Sequence, residues 1–300
     1  MPFAYEKLPE ELLVPRGGRP RKVFFAGKGG VGKTTLACTA ALFAAERGNR
    51  TVLVTTDPAS HIGEVFGVEV GPALRKIPHT DLWLVRIDPK AALENYQQAV
   101  LATVPDDAET QGRVREELNS PCTEEVAVFQ HFLDFVLDDA FDVTVFDTAP
   151  TGHTVRLLQL AWDYAGELAG KTALSSETAA LDGAQLAPRM QAAIQTLQDP
   201  GATSMLFVTL PEMTPIAEME RAIADLGRTG IATQAIIVNE VLPEEAATSP
   251  LFGKRLAKQM MYIDDLRPRH PAQAFATAPL QDDEILGVAL LQQFGDQLIH

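Results

Sequence analysis

The sequence predicts an α/β protein, a mostly parallel sheet flanked by helices. Three observations carry this. Short β-branched and apolar runs recur along the chain, and helix-periodic stretches follow them. A run such as Thr51-Val52-Leu53-Val54-Thr55 is apolar-branched throughout rather than alternating, as a strand buried on both faces reads. The first strand–helix junction is Gly27-Lys28-Gly29-Gly30-Val31-Gly32-Lys33-Thr34-Thr35, a glycine-rich phosphate loop of the G-x-x-x-x-G-K-[ST] type.

The whole chain sets the bounds. Its 300 residues make one large or two small domains, and a hydrophobic content of 46% fills a sizeable core. A net charge of −15 argues against nonspecific nucleic-acid binding and adhesion to anionic membrane. No apolar run is long enough to span a bilayer. The N-terminal stretch lacks a signal-peptide core. Cys38 and Cys122 make no disulfide framework. The expectation is a cytoplasmic protein without nucleic-acid partners.

Taken in order, residues 1–20 read as an irregular leader, broken by Pro9, Pro15, Gly17, Gly18 and Pro20. Residues 21–300 read as the main domain. Its first strand covers about 22–26, and the helix after the loop runs to about Arg47, with Gly48 as its C-terminal stop. Thr51–Thr55 completes a strand–helix–strand unit. Leu82–Ile87 is the third strand candidate. Residues 91–138 and 168–200 are helix-biased and contain no convincing strand, so they read as insertions that build a helical subdomain. Between them stand Val143-Thr144-Val145-Phe146-Asp147, a strand with an acidic end, and a helix from Val155 to about Glu167. Strands at 204–208 and 235–239, helix 215–226, a charged helical segment over 243–272, a short strand at 274–276 and a closing helix over 285–297 complete the chain.

The candidate site residues sit where strands end, which is where open α/β sheets bind ligands. Loop N–H groups and a helix N-terminus suit phosphate oxygens. Lys33 is placed for the β- and γ-phosphates, and the Thr34 hydroxyl for Mg²⁺. Asp57 either orients an attacking water, touching Mg²⁺ directly or through water, or caps a helix ahead of Pro58. Asp147 reads as a Walker B carboxylate touching Mg²⁺ directly or through water. Gly152 permits a loop that answers to a γ-phosphate, and His153 reads as a polar loop side chain. Asn239 either pairs with a purine edge or closes its own turn. Lys28 exceeds what a phosphate loop requires; as a residue it is a solvated lysine or an additional cation. Cys38 reads as core. Glu218, Glu220 and Arg221 read as the polar face of a solvated helix.

The loop resembles the deviant Walker A loop, K-G-G-x-G-K-[ST], of dimeric ATPases. Together with Thr56-Asp57-Pro58-Ala59-Ser60 and Asp147-Thr148-Ala149-Pro150-Thr151-Gly152-His153-Thr154 it is similar to the family of arsenite-pump and tail-anchored-protein-targeting ATPases. Ile87-Asp88-Pro89, Pro211-Glu212, Val238-Asn239 and Ala278-Pro279-Leu280 agree, so the resemblance covers about residues 20–298. It implies an ATP- and Mg²⁺-dependent homodimer whose halves close on nucleotide. It implies Lys28 reaching the partner's phosphates, Asp57 activating water, and Asn239 and Pro279 holding adenine.

Two branches of that family compete. In the arsenite branch a soluble ATPase drives a membrane pump, and thiolates hold the metalloid. Asn119-Ser120-Pro121-Cys122 resembles a segment carrying one of those cysteines, while the partner cysteine expected near Ala179–Ala180 is absent. Cys122 is thus a metalloid ligand or a buried or capping thiol. In the targeting branch a homodimer cradles a membrane-protein client and delivers it to a receptor. The arsenite-pump ATPases are usually two fused halves and this chain resembles one, which suits the targeting branch, but the insertions are only mildly apolar and there is no C-x-x-C pair. The expectation is the energising subunit of an arsenite or antimonite pump, peripheral to the membrane through its partner. A targeting factor is the alternative, and a nucleotide-gated regulatory module the second.

Overall fold

Val23, Phe24, Phe25 and Ala26 are wholly apolar, and β1 (Arg21–Ala26) buries all of them at the centre of the sheet. The computed structural model describes residues 5–57, 61–102, 104, 107–119, 121–147 and 177–300. Side chains at 108–109, 117, 121–122 and 177–187 fall outside that description. The string at 148–154, the expected helix at 155–167, and Pro58–Ser60 also lie outside it.

After β1 come α1 (Lys33–Glu46), β2 (Thr51–Thr55), α2 (Ile62–Phe66), β3 (Arg75–Lys76), β4 (Leu82–Arg86), α3 (Pro89–Leu101), α4 (Ala108–Leu118), α5 (Pro121–Leu137) and β5 (Val143–Asp147). Then follow α6 (Glu177–Gln198), β6 (Thr203–Thr209), α7 (Met213–Arg228), β7 (Thr233–Val241), α8 (Pro250–Leu266), β8 (Ala274–Pro279) and α9 (Val288–Leu298). Short 3₁₀ turns at Glu10–Leu12, Glu244–Ala246 and Arg267–Arg269 complete the described elements.

The sheet order is β3-β4-β2-β5-β1-β6-β7-β8, parallel except for the antiparallel β3 at one edge. The chain leaves β1 for β2 on one side and later adds β6 on the other. The carboxyl end of β1 is therefore a topological switch point, and the glycine loop stands there. Asp88 caps α3 by accepting from the Ala91 N–H at 2.9 Å, with Pro89 as its first residue.

Alternation along the strands sorts the core into two layers. Val23 and Phe25 face the layer of α1 and α9; Phe24 and Ala26 face that of α5, α7 and α8. Phe24 and Phe146 are register partners on β1 and β5 and stack at 4.3 Å, with Phe132 of α5 at 5.2 Å from Phe146. Each such ring buried contributes about 2–3 kcal/mol by transfer alone. Ten of the fourteen residues of α1 are buried, many of them alanine, so the helix lies close to its neighbours. Gly295 of α9 approaches so closely that an added Cβ would stand 3.4 Å from Thr39 Cγ2.

The stretch expected to be an irregular leader packs Leu8, Leu12 and Leu13 into the core. Leu8 N–H donates to Leu298 O at 2.7 Å, and His300 N–H to Leu8 O at 3.2 Å. The helical insertion at 91–138 is not all separate from the sheet: Phe132, Leu133 and Val136 of α5 are core residues against it. Strand β8 runs to Pro279, past the expected 274–276. It is the sheet's edge, where a missing proline N–H leaves no ladder bond unmade.

Candidate nucleotide site

The loop between β1 and α1 is shaped by two close approaches. A Cβ on Gly27 would lie 2.4 Å from the Val208 carbonyl of β6, so only glycine lets loop and strand meet. Gly32 has φ +90 and ψ +18, and a Cβ there would stand 2.2 Å from Asn239 Nδ2. Between them, Lys28, Gly29 and Gly30 are exposed while Val31 is 1% exposed and anchors the loop in the core. Gly32, the N-cap, has no side chain to cap the first N–H groups of α1, and an uncapped helix N-terminus suits an anion.

Lys33, the first residue of α1, is buried, and its Nζ donates to Lys28 O at 2.9 Å across the loop. Burial lowers its pKa, while Asp147 and then Asp57 pull it back up. Asp147 ends β5 at 1% exposure. The Thr34 hydroxyl donates to its carboxylate, 3.0 Å from Oδ2 and 3.2 Å from Oδ1, and the Thr55 hydroxyl lies 3.4 Å from Oδ2. Thr55 Oγ1 in turn accepts from the Asp57 N–H at 3.2 Å. Thr34, Asp147 and Asp57 thus share one corner, at the carboxyl ends of β2 and β5.

These groups fit Mg²⁺. The donors are hard oxygens, one carboxylate and one hydroxyl already in mutual contact. Magnesium takes one or two carboxylates and completes its shell with phosphates and water. Among the described residues no group of three or more His, Cys, Asp or Glu assembles a protein-only metal cage.

Further out, Lys28 Nζ pairs with Glu218 Oε1 of α7 at 3.2 Å, both partly exposed. Glu220 pairs with Arg269 and with His270. Glu218 and Glu220 are therefore not the plain solvated face that the sequence suggested. Asn239 is 7% exposed and its Nδ2 donates to Val31 O at 3.0 Å, so it touches the loop rather than closing its own turn. Pro279 pairs with Val241, and the Leu280 N–H donates to Val241 O at 2.9 Å, which places Asn239 and Pro279 on neighbouring strand ends. The first described helix after Asp57 begins at Ile62 with His61 as N-cap. Cys38 is fully buried, which pushes its thiol pKa well up, as suits core. Cys122 lies in the first turn of α5, and its side chain is outside the description.

Sequence reasoning passed over Thr55, which carried a signal, a hydroxyl two residues before a strand-end carboxylate, and it took Glu218 only as part of a solvated helix face.

A parallel sheet with a glycine loop at its switch point, a buried lysine, and a hydroxyl–carboxylate pair on the adjoining strand end define a phosphate-loop nucleotide-binding protein. The model of the anion-transporting ATPase family matches residues 20–173 and 165–300. A putative arsenical pump-driving ATPase of Halobacterium salinarum is 40% identical over 294 residues, covering 96% of this chain and 45% of that protein. An arsenical pump-driving ATPase of Escherichia coli is 36% identical over 273 residues, 90% of this chain and 43% of its own length. One from Acidiphilium multivorum is 35% identical over 238 residues, 76% and 40% of the two chains. The chain belongs to the anion-transporting ATPase family, and it spans less than half the length of each of these relatives. No helix among the described residues is long and apolar enough to cross a membrane.

Proposed function

We propose that this chain hydrolyses ATP as a homodimer and energises an arsenite or antimonite pump in the membrane. The observation that carries the ATPase reading is the corner where Thr34 meets Asp147 at 3.0 Å while Lys33 lies buried under the influence of Asp147 and Asp57. The pump reading is supported by the names of the relatives and by Cys122.

The loop N–H groups and Lys33 hold the β- and γ-phosphates and oppose the charge that spreads over the transferring phosphoryl group. Thr34 and Asp147 hold Mg²⁺, which when bound neutralises phosphate charge. Asp57 orients the attacking water and accepts its proton as the oxygen bonds to phosphorus and the bond to ADP breaks. Lys28 leaves Glu218 and reaches the partner's phosphates when two copies close. Asn239 and Pro279 border the adenine. Cys122 supplies one soft thiolate per copy to the trivalent metalloid.

The test is steady-state ATP turnover with and without antimonite, on the parent and on Cys122→Ser. Stimulation in the parent that vanishes in the variant, with basal turnover kept, is expected. No turnover in the parent overturns the ATPase reading. Turnover that antimonite leaves unchanged in both overturns the metalloid role and returns weight to a membrane-protein client.

A further inference from the structure

We propose that Gln259 of α8 is a positioning residue for the phosphate loop, acting through the sheet by way of a bulge in β7. The inference rests on the nucleotide reading above and adds a residue from the opposite face of the sheet.

The bulge is visible in the register. Val238 pairs with Thr277 and Val241 with Pro279, so three steps on β7 match two on β8. Its effect shows in the side chains: Val238 and Val241 lie in the same core layer, although an odd spacing puts residues on opposite faces of a regular strand. The extra residue is taken up where Glu240 adopts φ +56, a left-handed backbone that a glutamate enters at a cost of about 1–2 kcal/mol. Such a residue persists where its surroundings over-determine it.

Gln259 is what over-determines it. Its Oε1 accepts from the Leu242 N–H at 2.8 Å, and its Nε2 donates to the Glu240 carbonyl at 3.3 Å. One amide thus serves a backbone donor and a backbone acceptor on either side of Val241, within the distortion. It does so at 5% exposure, so neither bond is readily replaced by water. Gln259 belongs to α8, whose Ile263 and Leu266 pack in the layer opposite α1.

The consequence appears on the other face. Asn239 stands immediately before the left-handed residue and directs its amide to Val31 O at 3.0 Å. The same amide would lie 2.2 Å from a Cβ on Gly32, the residue before Lys33. The amide and the loop are therefore in contact at the van der Waals limit. Any rotation of the bulge moves Asn239, and with it the turn that aims the loop and Lys33. The line runs Gln259, Glu240 and Leu242, Asn239, Val31.

The test measures AMP-PNP affinity by calorimetry, kcat and KM for ATP, and the melting temperature in each variant. Gln259→Met fills the same space without hydrogen bonds; Gln259→Glu keeps the acceptor for the Leu242 N–H. The expectation is a loss of AMP-PNP affinity of about fivefold or more for Gln259→Met, less for Gln259→Glu, with KM moving more than kcat. Adding Glu240→Gly to Gln259→Met lets the left-handed turn form without its brace, and recovers at least half of the lost affinity on a logarithmic scale. A residue that merely stabilises the fold lowers the melting temperature without this rescue. Parental affinity in Gln259→Met, or lost affinity that Glu240→Gly leaves unrescued, overturns the inference while the nucleotide reading stands. A parent that binds no AMP-PNP overturns the nucleotide reading itself.

Discussion

Gly32→Ala is the sharpest test of how the loop is held. Two costs follow from the structure. An alanine at φ +90 and ψ +18 adopts the left-handed region, at about 1–2 kcal/mol. Its Cβ would also overlap Asn239 Nδ2 at 2.2 Å, so the amide must swing away and leave the buried Val31 carbonyl without its donor. An unsatisfied buried acceptor costs about 1–3 kcal/mol, which brings the sum to about 2–5 kcal/mol. A chain of 300 residues has an unfolding entropy near 0.6 kcal/mol/K, so the melting temperature should fall by about 3–8 °C. Scanning calorimetry of a double-mutant cycle separates the two costs. Asn239→Ala alone removes the same hydrogen bond, so in the pair only the backbone cost adds to it. The pair should therefore be more stable than additivity predicts by about 1–3 kcal/mol. Gly32→Ala melting within 1 °C of the parent, or strict additivity in the cycle, would refute the contact between Asn239 and the loop.

Asp57→Asn keeps the pocket and removes the base, so AMP-PNP binding should persist while turnover falls about 10²–10⁴-fold; parental turnover would sink the assigned role. Lys28→Ala breaks only a partly exposed ion pair, worth about 0–1 kcal/mol, so the melting temperature should barely move. Turnover and nucleotide-dependent dimerisation should nevertheless be lost, and a monomer hydrolysing ATP at the parental rate would show that the lysine does not act across an interface. Burial holds the Lys33 pKa below 10.5 in the free protein, and bound phosphate favours the charged form and raises it. Affinity for AMP-PNP is then full below the lowered value and declines as pH climbs through it. The free fold shows the opposite sign, gaining stability over the same window, because the unfolded chain binds the extra proton there. Titrations and melts of the parent and Lys33→Met check both slopes, and an affinity that stays level up to 10.5 would place the lysine away from the phosphates.

The fold was legible because its information is local. The apolar run at 51–55 and the glycines at 27–32 each constrain their own backbone, whereas the strand order rests on long-range pairing that no local run specifies. One edge of the sheet was not legible. Strand β3 is two exposed residues, Arg75 and Lys76, whose pairing with β4 depends on a neighbour rather than on any pattern of their own. Helix α2 has five residues, too few for a period to show. In the site, Lys33, Thr34 and Asp147 announce themselves by residue type and place. Gln259 does not, since a glutamine in a polar helix looks the same whether it faces water or a bulge. Likewise nothing local links Lys28 to Glu218, because the pair exists only once α7 has docked beside the loop.

The place of β1 in the sheet also sets a timetable. Its neighbours β5 and β6 begin at Val143 and Thr203, so a chain emerging from the ribosome waits on the order of 10 s before Phe24 has an aromatic partner on an adjacent strand. Val208, whose carbonyl seats Gly27, emerges later still. Pairings of such long range are slow to form and leave apolar strands open in the meantime. Synthesis arrested before β6 leaves the phosphate loop without the strand it folds against, however complete α1 is by then. The nascent protein is held open by its strand order, and its phosphate loop meets the strand that seats Gly27 only after Val208 has emerged.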